Sequence, residues 1–438
     1  MPSPSLALKL AGHRGGASGH GSFVPEHSKL AYSLGASSGA TWLEPDVVSS
    51  KDHALFVMHG NELGRTSDVA DKEEFAGRRT TKFVDDGDGC TPSPVTGWFA
   101  EDFTWAEISE LRLRSVAGGG PEDGIYSFLR FEEMLDYVAA LSDALGREIG
   151  VYPETKLSRY FSGLGLPLEE KLVSSLASRG YCGYDAGSGR CLASLASSPP
   201  GPALLQSFSP TSLRELGELT DLPRVSLVNS GLVGLQKMEA GAVAATPEYA
   251  DIICLPTSFD GGWDAELFAD AVKDSKEEGL TVHAWYTDDD PTLYLRLVEL
   301  GVEGAFTNNA AFGNGVLAGV ETGTSLGFGG GGGISSGGGG GGGGGGLIGD
   351  SPANYVGVIA AILGAAFGVL LVLAVAGGVR ARSGSGSNKG RGLREVREAK
   401  NAWVLRLDGT SIDEDDDDEG EGGEVVVPGM PRVRVDHV

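Results

Sequence analysis

The stretch Trp42-Leu-Glu-Pro-Asp-Val-Val-Ser-Ser-Lys-Asp-His-Ala-Leu-Phe-Val-Met-His59 reads as two strands folded back on each other through a turn at Lys51-Asp52. In that register Glu44 lies opposite His59 and Asp46 opposite Val57, because antiparallel partners keep a constant sum of residue numbers. Glu44 and Asp46 are two residues apart, so a strand points both carboxylates to one face. One hairpin thus gathers two hard oxygen ligands and an imidazole. A solvated surface strand with alternating charges has the same pattern, so the rest of the chain has to decide between the two.

Upstream, the strand Leu6–Leu10 runs into His13-Arg14-Gly15-Gly16, and Pro25-Glu26-His27-Ser28 opens an amphipathic helix that closes near Gly39. Downstream, Arg65 to Pro121 mixes charges, glycines and aromatics, and its length suggests an inserted subdomain or lid. From Ile149 the chain alternates strand and helix to Gly319, with polar residues at the strand ends. This alternation predicts a (β/α)8 TIM barrel with an insertion after the third strand (about residues 65–121), the hairpin supplying one strand more than a barrel needs. A doubly wound sheet is the alternative, but no GxGxxG follows the first strand.

In a barrel the C-terminal strand ends share one face. That brings together His13 and Arg14, Glu44 and Asp46, His59, and Glu154 and Lys156, with Phe208 and Trp285 as walls. Three carboxylates without cysteine make an oxygen-rich site suited to Mg²⁺ or Ca²⁺. Arg14 and Lys156 supply positive charge for a phosphate, and two histidines can exchange protons near neutral pH. The set describes metal-assisted cleavage of a phosphodiester. Plainer readings attach to single members. His20, His27, His53 and His283 read as solvated or structural, Phe208 and Trp285 as possible core, and Glu26 as serving its helix N-terminus or holding Arg14.

The net charge of −26, from 34 basic and 60 acidic residues, argues against nucleic acid as a partner. Much of the acidity is local, in the run Asp413–Glu419, and glycine concentrates in Gly329–Gly333 and Gly337–Gly346. Val356 to Val379 is an uncharged run of 24 residues, roughly 36 Å as a helix, which predicts a single transmembrane helix. Arg380, Arg382, Lys389 and further basic residues follow it, placing the C-terminal side in the cytosol and the catalytic domain outside or in a lumen. No signal peptide is visible ahead of Leu6, which suggests an incomplete N-terminus; a cytosolic domain is the alternative. The expected organisation is a domain over 1–320, a Gly-rich linker over 321–355, the span over 356–379, and a disordered, basic then acidic tail over 380–438. Cys182 and Cys191 flank a short loop and either pair or stay free; Cys254 reads as core.

His13-Arg14-Gly15, Pro25-Glu26, Glu44-x-Asp46, His59, Glu154-x-Lys156, Gln206-Ser207-Phe208 and the Gly301–Thr307 segment, in this order, resemble the glycerophosphodiester phosphodiesterase family. Arg65-Thr-Ser-Asp and Ile149-Gly-Val-Tyr-Pro-Glu are similar to its longer, periplasmic bacterial type. The resemblance implies a TIM barrel that hydrolyses glycerophosphodiesters to sn-glycerol 3-phosphate and an alcohol with Ca²⁺ or Mg²⁺. It implies catalysis by His13 and His59, metal binding by Glu44, Asp46 and Glu154, and phosphate binding by Arg14 and Lys156; Glu26, Phe208 and Trp285 join the substrate site. Two positions depart from the pattern. Gly60 stands where the family usually has Asp, and Pro45 removes a ladder donor, which a strand tolerates best at an edge or bulge. A catalytically weak ectodomain that binds headgroups or cell-wall components, and a phospholipase D-like enzyme on the same barrel, are the competing functions.

Overall fold

The structure is a computed structural model that describes residues 8–17, 22–84, 93–197, 199, 201–230, 242–257, 265–287 and 289–321, with two short strands near the C-terminus. His20, Cys90, the Gly-rich linker, the apolar run 356–379 and the acidic run 413–419 lie outside the described residues. Among the described residues no helix is long and apolar enough to cross a membrane. Within the expected tail, Glu424–Val425 pairs antiparallel with Val433–Arg434, in a unit separate from the rest.

The strands are β1 (Lys9–Gly12), β2 (Trp42–Leu43), β3 (Asp46–Ser49), β4 (Leu55–Val57), β5 (Thr80–Val84), β6 (Ser93–Gly97), β7 (Gly150–Val151), β8 (Glu154–Thr155), β9 (Gly183–Tyr184), β10 (Cys191–Leu192), β11 (Leu205–Ser207), β12 (Arg224–Leu227), β13 (Ile252–Pro256), β14 (Thr281–Thr287) and β15 (Gly304–Thr307). The helices are α1 (Lys29–Ser37), α2 (Trp105–Ser109), α3 (Phe131–Leu145), α4 (Ser158–Gly163), α5 (Glu169–Ala177), α6 (Pro210–Leu219), α7 (Ala265–Glu277), α8 (Pro291–Glu299) and α9 (Ala310–Glu321).

β2 and β3 are two halves of one strand broken at Glu44-Pro45, and β7 and β8 are two halves of another broken at Tyr152-Pro153. Their pairing keeps one register across both breaks, Trp42 with Gly150 and Asp46 with Glu154. Counted so, parallel pairing runs from β1 through these two strands to β11, β12, β13, β14 and β15, and β15 pairs back onto β1. The result is a TIM-barrel-like α/β fold, with β4 as the extra strand that the hairpin supplies. Pro45 therefore sits inside a paired strand, not at an edge. The break is tolerated because the neighbouring groups stay bonded: Glu44 N–H to Gly12 O at 3.1 Å, and Glu154 N–H to Pro45 O at 2.9 Å.

Ala11, Trp42, Tyr152, Val225, Cys254 and Phe306 fill the ring, as buried alternate positions of parallel strands must. The segment expected as a lid is built on the β5–β6 hairpin, α2 and short 3₁₀ turns. Its Phe75, Phe103, Ile108 and Leu111 are buried in one core with Phe56 and Phe131, so it is a docked extension of the barrel. Cys182 and Cys191 form a disulfide across the β9–β10 hairpin, which resolves that alternative, and Cys254 is buried and free.

Candidate active site

The hairpin is offset from its expected register by one residue. Val47 faces Val57 and Ser49 faces Leu55, so Asp46 lies level with Met58, whose N–H donates to Asp46 O at 2.9 Å. The cause is the turn. Ser50 N–H bonds Ala54 O, leaving the three residues Lys51, Asp52 and His53, with His53 at φ +62, where a two-residue turn at Lys51-Asp52 was expected. His59 is accordingly not opposite Glu44. It still reaches the site, half-buried at the foot of the hairpin, with Lys156, Arg14 and Asp46 close enough to shift its titration.

Glu44, Asp46 and Glu154 are buried, and one oxygen from each lies within 4.8 Å of the others. An ion bonded to oxygens at about 2.1–2.6 Å separates opposite ligands by about 4–5 Å, so this trio fits a Ca²⁺ or Mg²⁺ site in size and in donor chemistry. Charge crowding points the same way. Burial, with Asp46 and Glu154 nearby, raises the Glu44 carboxyl well above its usual range. Burial and Asp46 push Glu154 up to about 8 against the pull of Lys156. Asp46 alone is held well below the usual range: burial opposes its charge, but Lys156, His59 and His27 outweigh it. Gln206 donates to Glu44 Oε1 at 3.3 Å, while its own carbonyl oxygen is buried without a hydrogen-bond partner among the described residues.

Two cations flank the trio. Lys156 Nζ lies 2.9 Å from Glu154 Oε1 and 3.6 Å from Asp46 Oδ1, and 5.6 Å from the centre of the Phe208 ring. Arg14, in the left-handed region at φ +51, gives its backbone N–H to Glu44 Oε2 at 2.7 Å and its guanidinium to Glu26 at 2.8 Å. Glu26 also pairs with Arg65 at 2.9 Å, and the helix after it starts at Lys29 under a Ser28 cap. Glu26 thus holds two arginines rather than serving the helix end. Phe208 meets Trp285 edge to face at 5.6 Å, and the Trp285 indole N–H donates to Val228 O, so the two form one wall beside Lys156.

His13 stands at the end of β1 with Nδ1 2.7 Å from Asn308 Oδ1. Burial and Arg14 carry its pKa down to about 3, and burial with Lys156 and Arg14 lowers His59 well below its ordinary value. Both are neutral imidazoles near pH 7. Gly60, next to His59, has φ +82, and a Cβ there would meet nothing within 4 Å, so space exists for the side chain it lacks.

Three participants were not assigned from sequence. Asn308 follows β15 and is open to the same strand-end reasoning that found His13. Gln206 belongs to the Gln206-Ser207-Phe208 motif, which assigned it no role. His27, read as solvated or structural, is buried with its ring on Asp46. His53 is exposed, and His283 is buried on Tyr152, as a structural histidine would be.

The model of the Glycerophosphoryl diester phosphodiesterase family matches residues 13–311. The chain belongs to this family. Its relatives include glycerophosphodiester phosphodiesterases of Arabidopsis thaliana, 28% identical with 65% of this chain and 80% of the relative covered, and of Bacillus subtilis, 27% identical with 70% and 85% covered. It is accordingly a phosphodiesterase by family. A solved glycerophosphodiester phosphodiesterase from Agrobacterium tumefaciens aligns at TM-score 0.45 and 15% identity, over 70% of this chain and 99% of that one. An Oleispira antarctica phosphodiesterase in complex with the product sn-glycerol-3-phosphate aligns at TM-score 0.45 and 17% identity, over 72% and 98%.

Proposed function

We propose that this chain hydrolyses glycerophosphodiesters to sn-glycerol 3-phosphate and an alcohol, with Ca²⁺ or Mg²⁺ held by Glu44, Asp46 and Glu154. The observation that carries this reading is the meeting of the buried carboxylate trio with two cations and two neutral imidazoles. A bound divalent ion would polarise a phosphoryl oxygen and acidify the attacking hydroxyl or water. Arg14 and Lys156 hold the remaining phosphoryl oxygens, and Phe208 with Trp285 limits how the alcohol side can lie. The His13 tautomer that donates from Nδ1 to Asn308 leaves Nε2 as the proton acceptor, which suits His13 to the attacking group. His59 protonates the departing alkoxide. Burial is the main reason both imidazoles are neutral, and the arriving phosphodiester is an anion that favours an imidazolium beside it, so one takes up its proton with substrate.

The test is release of glycerol 3-phosphate from glycerophosphocholine by the full chain in detergent, with Ca²⁺, Mg²⁺ or EDTA. Release should require the metal and fall at least about 10²-fold in His59→Ala. A folded protein that releases nothing with either ion would move the reading to a headgroup-binding ectodomain. Release of a cyclic phosphate from lysolipid, in preference to glycerophosphocholine, would favour the phospholipase D-like alternative.

We also propose that the run 356–379 spans a membrane with this domain on the non-cytosolic side, supported by its length and the arginines behind it. External protease on intact cells should remove the barrel and spare a tag at the C-terminus; a spared barrel would reverse the orientation.

A further inference from the structure

Asp46 is gripped within the trio from a direction that the sequence does not mark. His27 Nε2 lies 2.8 Å from Asp46 Oδ2, and His27 Nδ1 lies 2.9 Å from the Tyr32 hydroxyl. An ionised Asp46 has no proton to give, so Nε2 carries the hydrogen and donates. Nδ1 and the Tyr32 hydroxyl bond each other on the far side of the ring. The hydrogen-bonded chain runs from Tyr32 through His27 to Asp46. His27 is 2% exposed, Tyr32 0% and Asp46 1%, so water cannot take over any of these bonds.

The backbone is bent to make this contact. His27 has φ +60 and Arg14 has φ +51, a region that side chains other than glycine rarely adopt, and His27 N–H bonds Arg14 O at 3.0 Å. Two strained residues are thus tied together, and both side chains end at Asp46 Oδ2, Arg14 with Nε at 3.5 Å. Such strain persists where the surroundings hold it, and it marks sites that use it. Tyr32 sits one turn into α1, so the first helix anchors the device. Oδ1 faces Lys156 at 3.6 Å, just past the strand that carries Glu154.

We infer that His27, backed by Tyr32, is a positioning residue that holds Asp46 by Oδ2 and so presents Oδ1 to the cation site. The inference rests on the reading of Glu44, Asp46 and Glu154 as metal ligands. Hydrogen-bond partners of this kind fix ligand orientation, and losing one costs about 10- to 100-fold in metal affinity.

The test titrates Ca²⁺ or Mg²⁺ alone, without substrate, into EDTA-stripped full-length protein by calorimetry. His27→Ala should bind about 10- to 100-fold more weakly than wild type. His27→Gln, which can place an N–H where Nε2 stood, should recover most of the loss. Tyr32→Phe keeps the donor but frees the ring, and should lose less than His27→Ala. Circular dichroism melts identify the folded variants, and if His27→Ala does not fold, His27→Gln and Tyr32→Phe carry the comparison. Wild-type affinity in a folded His27→Ala or Tyr32→Phe, or His27→Gln no better than a folded His27→Ala, would overturn the inference while leaving the metal site standing. Absence of metal binding by the wild type would overturn the site and the inference together.

Discussion

Lys156 shows how much of this site is a balance between single charges. Its side chain is 13% exposed, and its ammonium lies between Glu154 and Asp46. Removing one member of a buried pair costs about 3–5 kcal/mol because the other charge is stranded. Lys156→Met should therefore lower the unfolding free energy by about that much in EDTA, measured with urea, and added Ca²⁺ or Mg²⁺ should return part of it. An unchanged midpoint would mean that the carboxylates do not depend on the lysine. At this scale the sequence was informative about residue types that converge at strand ends, which is how Glu44, Asp46, Glu154, Arg14 and Lys156 were found. It read His27 only as solvated or structural, because the ring reaches Asp46 through a left-handed backbone, and nothing in the residue order marks that conformation.

The elements were legible in position and less so in register. The alternation of strand and helix expected from Ile149 onward is present in the second half, for example strand Thr281–Thr287 followed by helix Pro291–Glu299. The hairpin slipped by one residue because turn length depends on His53 adopting positive φ, a choice made locally and invisible to hydrophobic pattern. The insertion gives a further prediction. Glu101, 7% exposed, accepts from Lys82 at 2.9 Å, from Tyr160 at 2.6 Å and from Asn61 at 3.2 and 3.3 Å. Asn61 is two residues past His59, so the insertion holds the segment that carries the imidazole. Glu101→Ala should lower kcat roughly 10- to 100-fold through a displaced His59. Metal affinity measured by calorimetry should stay at the wild-type value, since no ligand is touched. An unaltered kcat would show that His59 is placed without the insertion.

For the molecule as a whole, the barrel reading followed from alternation alone, whereas the two aligned strand breaks at Pro45 and Pro153 did not, since they depend on which strands become neighbours. The buried histidines govern its acid behaviour. Burial takes His283 down to about 3 in the folded protein, against an ordinary value of 6.5. A depressed value means that the unfolded chain takes up the proton first, so stability is full above about pH 6.5 and is lost as pH falls toward 3. Thermal melts of wild type at pH 7.5 and 4.5 should show that loss, and His283→Gln should show a smaller one; equal losses would clear His283 of the effect. The pairing of β1 with β15 bears on how the protein is made. Lys9 waits for Gly304, and at about 5–20 residues per second a ribosome needs roughly 15–60 s to supply it. Throughout that interval the first strand lacks the last strand that completes the ring, a window in which nascent-chain chaperones have something to hold.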